Sequence, residues 1–347
     1  MDKFSTSEYK ITYLLGAGAS AKALPTVKAT DSTKGLSQSL RSCAEKIKSD
    51  TSIKKTYREY IEKTSSDMIW LADNSDKFGT PDTFAKYLYL QSKAELPRLK
   101  NALSLYFTIE QFINEKKDDR ALIFLTTVMQ IGNIFPTNIK ILNWNYDFQI
   151  QLAAEVFHEE KFYLGRTTVH TPPLIGYYPS LGFEFNMNHE QSKNEFSLVH
   201  LNGLAGFYYN QDYEANLNYF YNDKPRELND ILEKIIESNG KTNSLLTFAW
   251  EQSTDSAKLL RQRVNFAKRA VEKTDILVII GYSFPFFNRT VDKQIFESLK
   301  TDNTLKKVIY QDPYKSGKFL KKQFDLSDDV DIIDKTEIDN YFVPNEL

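Results

Sequence analysis

In Tyr9-Lys-Ile-Thr-Tyr-Leu-Leu-Gly-Ala-Gly-Ala-Ser20, a short apolar run ends at two glycines. The run from Ile11 to Leu15 favours a strand, and its lack of polar alternation is typical of a strand buried on both faces of a parallel sheet. Gly16 and Gly18 allow a sharp turn and the close approach of a ligand to the backbone. If a helix follows, its amide groups could cradle a pyrophosphate, with the hydroxyl of Ser20 beside them. A purely structural tight turn fits the same glycines, so this stretch alone leaves both interpretations open.

Four further runs along the chain predict strands that end in glycine or in polar residues. They are 138–143, followed by Asn145 and Asp147; 196–203, containing His200; 275–281, ending at Gly281; and 307–311, followed by Asp312. Apolar residues at helical spacing separate most of these runs, for example at 36–47, 255–273 and 290–299. Strands that alternate with helices predict an α/β fold, a doubly wound and mostly parallel sheet of Rossmann-like type. In such sheets ligands bind outside the carboxyl ends of the strands, where all these polar residues are expected.

The chain is expected to form a single domain over residues 1–347, with two additions. Residues 36–135 are mostly helical and come between the first and second strands; we interpret them as a helical insertion, because no Gly/Ser-rich linker flanks them. Residues 159–196 are rich in proline, glycine and aromatic side chains, which indicates a packed, loop-rich flap. The segment 206–210 is expected to continue the main sheet.

Composition limits the function. The formal net charge is −2, so no global basic field indicates direct nucleic-acid binding, although a local patch stays open. The single cysteine, Cys43, excludes a disulfide within the chain and a four-cysteine zinc site. We see no signal-peptide-like segment and no apolar run of about 20 residues, so we expect a cytoplasmic protein without membrane contact.

Several conspicuous residues have plain structural explanations. No spacing among His158, His170 and His189 suggests a metal site, so no metal is expected. The lysine pairs at 54–55, 116–117 and 321–322 are expected to lie on the solvated surface. The aromatic stripe from Phe196 to Tyr221 fits a core or an interface better than a platform for stacking bases.

Taken in order, the strand-end motifs resemble the sirtuin-like (silent information regulator) NAD-consuming domain of bacterial antiphage defence proteins. Gly16-Ala-Gly-Ala-Ser20, with Leu24-Pro25 after it, matches the family signature Gly-Ala-Gly-x-Ser. Asn143-Trp-Asn-Tyr-Asp147 stands where the family has Thr-Gln-Asn-Ile-Asp. Val199-His-Leu-Asn-Gly203 resembles the catalytic His-Gly segment, and Gly281-Tyr-Ser-Phe284 resembles the Gly-Thr/Tyr-Ser loop.

The departures from the family pattern are also informative. This chain cannot form the four-cysteine zinc module of histone-deacylating sirtuins. Asn143 and Trp144 replace Thr and Gln, and Asn202 separates the histidine segment from Gly203. The resemblance therefore implies a retained NAD pocket without peptide recognition. The helical insertion and the flap lie outside the motifs.

The resemblance implies hydrolysis of NAD, as substrate, to nicotinamide and ADP-ribose. Breaking the nicotinamide–ribose bond passes through an oxocarbenium-like centre, as in glycoside cleavage. Asn145 would hydrogen-bond the ribose hydroxyls or the attacking water, and His200 would act as general base, because imidazole titrates near neutral pH. Asp147 would hold the nicotinamide end or its ribose, although it fits equally well as a plain helix cap.

The other predicted NAD-binding residues surround the phosphates and the adenosine. They are Gly16, Ala17, Gly18, Ala19, Ser20, Pro25, Gly281, Ser283, Phe284 and Asp312. Asp312 is expected to accept a hydrogen bond from an adenosine-ribose hydroxyl. Ser283 and Phe284 could instead form only a turn.

An unrestrained NAD hydrolase would kill its own cell, so the resemblance implies gated activity that depletes NAD in abortive infection. We expect a partner protein that supplies activation, for example a HerA-type ATPase or an Argonaute-like protein. A homo-oligomer is also expected, with residues 36–135 as the candidate interface. The alternatives are a non-catalytic regulatory subunit that binds NAD or ADP-ribose, and an NAD-dependent protein deacylase.

Overall fold

The computed structural model describes most of the chain and leaves several segments aside. The described residues are 9–29, 34–91, 93–131, 134–157, 175–179, 197–210, 216–218, 227–237, 242–251 and 256–347. The flap prediction for 159–196 therefore lies outside the described residues, except for the short piece 175–179.

A seven-stranded parallel sheet forms the centre of the molecule, in the order β10-β9-β8-β1-β2-β4-β3. Its strands are β1 (Ile11–Leu15), β2 (Ile139–Asn143), β3 (Tyr177–Tyr178), β4 (Leu198–His200), β8 (Ile276–Ile280), β9 (Lys307–Gln311) and β10 (Asp331–Lys335). Between β4 and β8 in the chain lie β5 (Phe207–Asn210), β6 (Asn216–Asn218) and β7 (Thr242–Ser244). Ile11 in β1 is aligned with Ile139 on one side and with Ile276 on the other, and every residue of β1 is buried. The chain builds β2, β4 and β3 on one side of β1 before it adds β8, β9 and β10 on the other, so the direction of winding reverses at β1.

Helices cover both faces of this sheet. In chain order they are α1 (Leu36–Ser49), α2 (Arg58–Phe78), α3 (Pro81–Gln91), α4 (Leu96–Thr108), α5 (Asp119–Val128), α6 (Gln149–Ala154), α7 (Leu228–Glu237), α8 (Ser256–Val271), α9 (Arg289–Thr301) and α10 (Phe319–Phe324). Alternate residues of β1 point to opposite faces: Ile11 joins the core formed with α1 to α6, whereas Leu14 joins the core formed with α8 to α10. The predicted α/β fold with a parallel sheet is confirmed, and it is compatible with a Rossmann-like arrangement.

The helical block between β1 and β2 contains α1 to α5. Residues Lys93–Glu95 form a 3₁₀ turn directly before α4, and Pro97 lies in the first turn of that helix. Proline suits that turn because its missing N–H would have no partner there. None of the helices within the described residues is both long and apolar enough to cross a membrane.

Two strand predictions need correction. Segment 206–210 does not continue the main sheet; as β5 it pairs antiparallel with β6 and β7 in a separate three-stranded sheet. Gly203 and Gly206, with φ of +83° and +74°, turn the chain away directly after β4. Conversely, Tyr177 and Tyr178, from the predicted flap, pair with β4 and form the edge strand β3.

Candidate functional site

Asn145 links the end of β2 to the loop after β1. Its side-chain Nδ2 donates to the backbone oxygen of Gly16 at 2.8 Å and to the hydroxyl of Ser20 at 3.2 Å. Its own backbone N–H donates to the side-chain oxygen of Asn143 at 2.9 Å, which fixes the turn after the strand. Asn145 is partly exposed, so it is accessible at the carboxyl edge of the sheet. The sequence-predicted residue thus lies beside the predicted glycine loop.

Asp147 continues the same network into the interior. It is only 3% exposed, and its Oδ2 accepts a hydrogen bond from the hydroxyl of Ser20 at 2.6 Å. Its Oδ1 accepts from the backbone N–H of Gln149, the first residue of α6, at 3.2 Å. Burial raises the pKa of this carboxyl to about 6, against the opposing effect of the Ser20 hydrogen bond. Asp147 therefore is not the predicted N-cap of α6, which is Phe148; it lies one residue earlier, binds the first amide of the helix and connects it to the loop after β1.

His200, the last residue of β4, lies beside the backbone of Asn145, in an environment that the sequence did not predict. Its Nδ1 lies 3.4 Å from the backbone oxygen of Asn145, and its Nε2 lies 2.8 Å from the side-chain nitrogen of Gln151. Because a backbone oxygen only accepts, Nδ1 carries the proton in the neutral ring and Nε2 accepts from Gln151. Burial, with no exposed surface left, lowers the pKa of His200 to about 3. The expectation that this imidazole titrates near neutral pH is therefore not met.

The two glycine-containing loops pack against each other. The amides of Gly16 and Gly18 donate to the backbone oxygens of Ile280 and Gly281, each at 3.0 Å. A Cβ at Gly18 would lie 2.6 Å from the Cα of Gly281, so only glycine allows this approach. The loop continues as a single 3₁₀ turn, Ala17–Ser20, rather than as a long helix. In this structure these glycines join two strands, and their amides are not free to receive a pyrophosphate.

The remaining predicted residues differ in accessibility. Ala17 and Ser283 are exposed, and Pro25 is partly exposed. Phe284 is buried among aromatic rings, 5.3 Å from Phe324 between ring centroids, so it belongs to the core rather than to the accessible edge. Asp312 is partly exposed after β9, and its Oδ1 accepts from the amides at positions 314 and 315, as in a turn cap.

The helical insertion supports the loop after β1 through a buried ion pair. Arg120 in α5 lies 2.6 Å from the carboxylate of Asp118, and both side chains are at most 4% exposed. The same guanidinium donates to the backbone oxygens of Gly18 at 3.3 Å and Ala19 at 3.0 Å. The hydroxyl of Tyr341, from the C-terminal segment, also donates to the oxygen of Ala19. Sequence reasoning missed Arg120, although an arginine four residues before Phe124, on the apolar face of α5, was an available signal.

Helix α4 covers the ends of β2 and β4. The ring of Phe107 packs 5.9 Å from that of Tyr146, between Asn145 and Asp147. The hydroxyl of Ser104 accepts from the amide of Gly206, and the side-chain oxygen of Gln111 accepts from the amide of Phe148, both at 2.8 Å. The insertion is therefore a wall of the candidate site.

Among the described residues, no group of three or more His, Cys, Asp or Glu side chains is placed to hold a metal ion. No protein-family model matches the chain, and no curated protein matches it. Any functional assignment therefore depends on the residues and on their geometry.

Proposed function

We propose that the chain is a sirtuin-type NAD glycohydrolase, which converts NAD and water into nicotinamide and ADP-ribose. The observation that carries this proposal is the cluster of Asn145, Ser20, Asp147 and His200 at the carboxyl edge of the sheet, where β1, β2 and β4 end. An accessible amide side chain held against a glycine loop suits the binding of ribose hydroxyls and of water. The order of the strand-end motifs along the chain adds support.

In the proposed reaction, Asn145 orients the nicotinamide ribose or the attacking water through its amide. Ser20 and Asp147 fix Asn145 and the loop after β1. An imidazole with a pKa of about 3 is a weak base, so we assign His200 a positioning role and not that of general base. Its neutral ring holds the backbone of Asn145 through Nδ1. Ala17 and Ser283, both exposed, are proposed to contact the phosphates.

The test is nicotinamide release. Purified protein is incubated with NAD, and nicotinamide and ADP-ribose are quantified by chromatography; NAD is also measured in expressing cells before and after phage infection. Asn145→Ala is expected to lower the rate by at least about a hundredfold, because orientation of a reactant is lost. The matched control is Asn138→Ala, at the other end of β2, where the side chain donates to the backbone oxygen of Tyr9 and to no site residue within the described part of the chain. Equal rates for Asn145→Ala and wild type would remove Asn145 from the mechanism, and no turnover by wild type would contradict the proposal.

The setting we propose for this activity is abortive infection, in which a partner, such as a HerA-type ATPase or an Argonaute-like protein, or self-assembly switches on NAD depletion. The exposed side chains of Ile123, Ile131 and Ile134, at the end of the insertion, support a homo-oligomer interface there. Light scattering of the purified chain tests this: we expect a multimer, and a strict monomer at micromolar concentration would contradict it.

One observation favours a second candidate, an NAD- or ADP-ribose-binding regulatory subunit. Both ring nitrogens of His200 are engaged and the ring is inaccessible. Calorimetric binding of NAD without nicotinamide release would favour this function. Nicotinamide release that depends on an added acyl-peptide would instead indicate a deacylase.

A further inference from the structure

Gln151, in α6, is the side chain that meets the ring of His200 from the helix that follows β2. Its Nε2 lies 2.8 Å from Nε2 of His200, and the residue is only 3% exposed. The same helix begins at Gln149, whose backbone N–H donates to Asp147. The sequence analysis gave Gln151 no role, although its side chain is in direct contact with the network around Asn145.

The direction of each hydrogen bond around the ring follows from the groups involved. Nδ1 of His200 faces the backbone oxygen of Asn145 at 3.4 Å, and a backbone oxygen only accepts, so Nδ1 carries the proton of the neutral ring. Nε2 then has only a lone pair and needs a donor. The side-chain nitrogen of Gln151 supplies that donor, and an amide does not titrate. Because the bond at one ring nitrogen sets the proton at the other, Gln151 selects the tautomer of His200.

The other end of the Gln151 amide shows that packing alone does not explain this residue. Its Oε1 is buried and has no hydrogen-bond partner among the described residues. A buried amide oxygen without a partner destabilises a fold, whereas an apolar side chain of similar volume would fill the same space without that loss. The amide of Gln151 therefore contributes through its donor group, which is used on His200.

A buried cation near the ring opposes the uptake of a second proton. Arg263 in α8 is 1% exposed, and a Cβ on Gly203 would lie 3.0 Å from both terminal nitrogens of its guanidinium. The amide of Gly203 donates to the backbone oxygen of His200, so the guanidinium lies beside the turn that follows the ring. Burial and then this charge lower the pKa of His200. Asn143, the neighbour of His200 across the sheet, is uncharged.

We propose that Gln151 is a positioning residue, which holds His200 as the neutral ring with its proton on Nδ1 and thereby keeps the backbone of Asn145 in place. The side chain of Asn145 is fixed separately by Gly16 and Ser20. Together the two sets of contacts orient the amide that meets the ribose or the attacking water. The expected effect on rate rests on the proposed NAD hydrolysis, whereas the state of the ring does not.

The first experiment observes the ring nitrogens directly, by NMR of the full chain labelled with ¹⁵N-histidine. The chain has four histidines, and the signals of His200 are those absent from His200→Gln. In wild type we expect a proton on Nδ1 and none on Nε2 at every value between about pH 6 and pH 9. In Gln151→Glu the new carboxyl group and the ring share one ionisable proton, so the ring is expected to titrate within that range.

Gln262→Glu is the matched control for the added carboxyl group. The side-chain oxygen of Gln262, in α8, accepts from the hydroxyl of Tyr178 at 2.9 Å, and a carboxylate can accept the same bond. The ring of His200 is expected to behave as in wild type. Gln151→Met is a second variant, of similar length and without a donor; it is expected to move the Nε2 resonance of His200 towards that of a ring nitrogen without a hydrogen bond.

The second experiment measures kcat and KM for NAD with Gln151→Glu and wild type at the two ends of the pH range. While the shared proton is bound, Nδ1 still donates to Asn145, so we expect a kcat within about threefold of wild type near pH 6. Once it is lost, the remaining ring proton moves to Nε2 to face the carboxylate, and the oxygen of Asn145 loses its donor. The ratio of kcat to wild type is then expected to fall at least about tenfold by pH 9, with KM little changed.

The outcomes separate this inference from the proposed function. A wild-type ring with its proton on Nε2, an unchanged Nε2 resonance in Gln151→Met, or no titration of the ring in a folded Gln151→Glu, judged by thermal melting, overturns the role of Gln151. A ring that titrates in Gln151→Glu without any change in the ratio of kcat values also overturns it, and NAD hydrolysis stands. An inactive wild type overturns NAD hydrolysis, while the NMR result still decides what Gln151 does to the ring.

Discussion

The end of β1 is held in two different ways on its two sides, by backbone packing next to β8 and by side-chain hydrogen bonds next to β2. On the β8 side, backbone lies on backbone: Gly16 and Gly18 donate to the β8 loop at a separation that excludes any side chain. On the β2 side, side chains make the connection, through Asn145, Ser20 and Asp147. The glycines that look like a nucleotide signature therefore have a steric task here. The polar side, which the insertion covers, carries the groups that could act on a substrate.

The largest effect on stability is expected from Arg120, through which the insertion supports the loop after β1. Arg120→Ala leaves the buried Asp118 carboxylate without its cation and removes the donors to Gly18 and Ala19, so we expect a loss of about 3–5 kcal/mol in the free energy of unfolding. Urea denaturation measures this. The control, Arg41→Ala, removes exposed ion pairs with Asp73 and Asp76 and is expected to cost about 1 kcal/mol. Similar losses for both variants would mean that Arg120 does not support the loop.

On the β8 side, substitution of a glycine is expected to lower the stability nearly as much. Gly281 has φ +59°, and a Cβ there would lie 2.4 Å from the Cα of Gly18, so Gly281→Ala combines backbone strain with a clash and should cost about 3 kcal/mol or more. Gly79→Ala is the matched control, because Gly79 has φ +81° but open space around it. It should cost only about 1 kcal/mol of strain. Equal melting temperatures for the two variants would contradict the packing role of the glycine side.

On the β2 side, His200 and Asp147 are expected to change the free energy of unfolding in opposite directions as pH falls. The folded protein keeps His200 neutral, whereas the unfolded chain binds a proton below about pH 6.5, so the stabilising effect of the neutral ring is lost as pH falls. Relative to His200→Gln, wild type should lose about 2 kcal/mol between pH 7 and pH 5. Asp147 has a raised pKa, so its contribution is complete below pH 3.8 and is lost as pH rises through about 6. Relative to Asp147→Asn, wild type should therefore gain about 1 kcal/mol over the same decrease in pH.

Urea denaturation of the three proteins at the two pH values tests both signs. Changes of the same sign for the two variants would show that at least one of these side chains has a different environment. A pH-independent difference between wild type and His200→Gln would mean that the ring is accessible, which would favour its role as a base.

The sequence by itself determined the sheet and the meeting of its polar ends. Uninterrupted apolar runs such as Ile276–Ile280 are stable only when both faces are covered, which requires a parallel sheet between helices, and strands that run in one direction bring Asn145 and His200 to the same edge. Tertiary structure alone decided what surrounds those residues. Burial, which moves the pKa of His200 down and that of Asp147 up, depends on side chains far away in the chain, and so does the approach of Gly18 to Gly281. Local pattern specifies which way a residue points, but the desolvation and spacing that set its chemistry arise only when distant segments pack together.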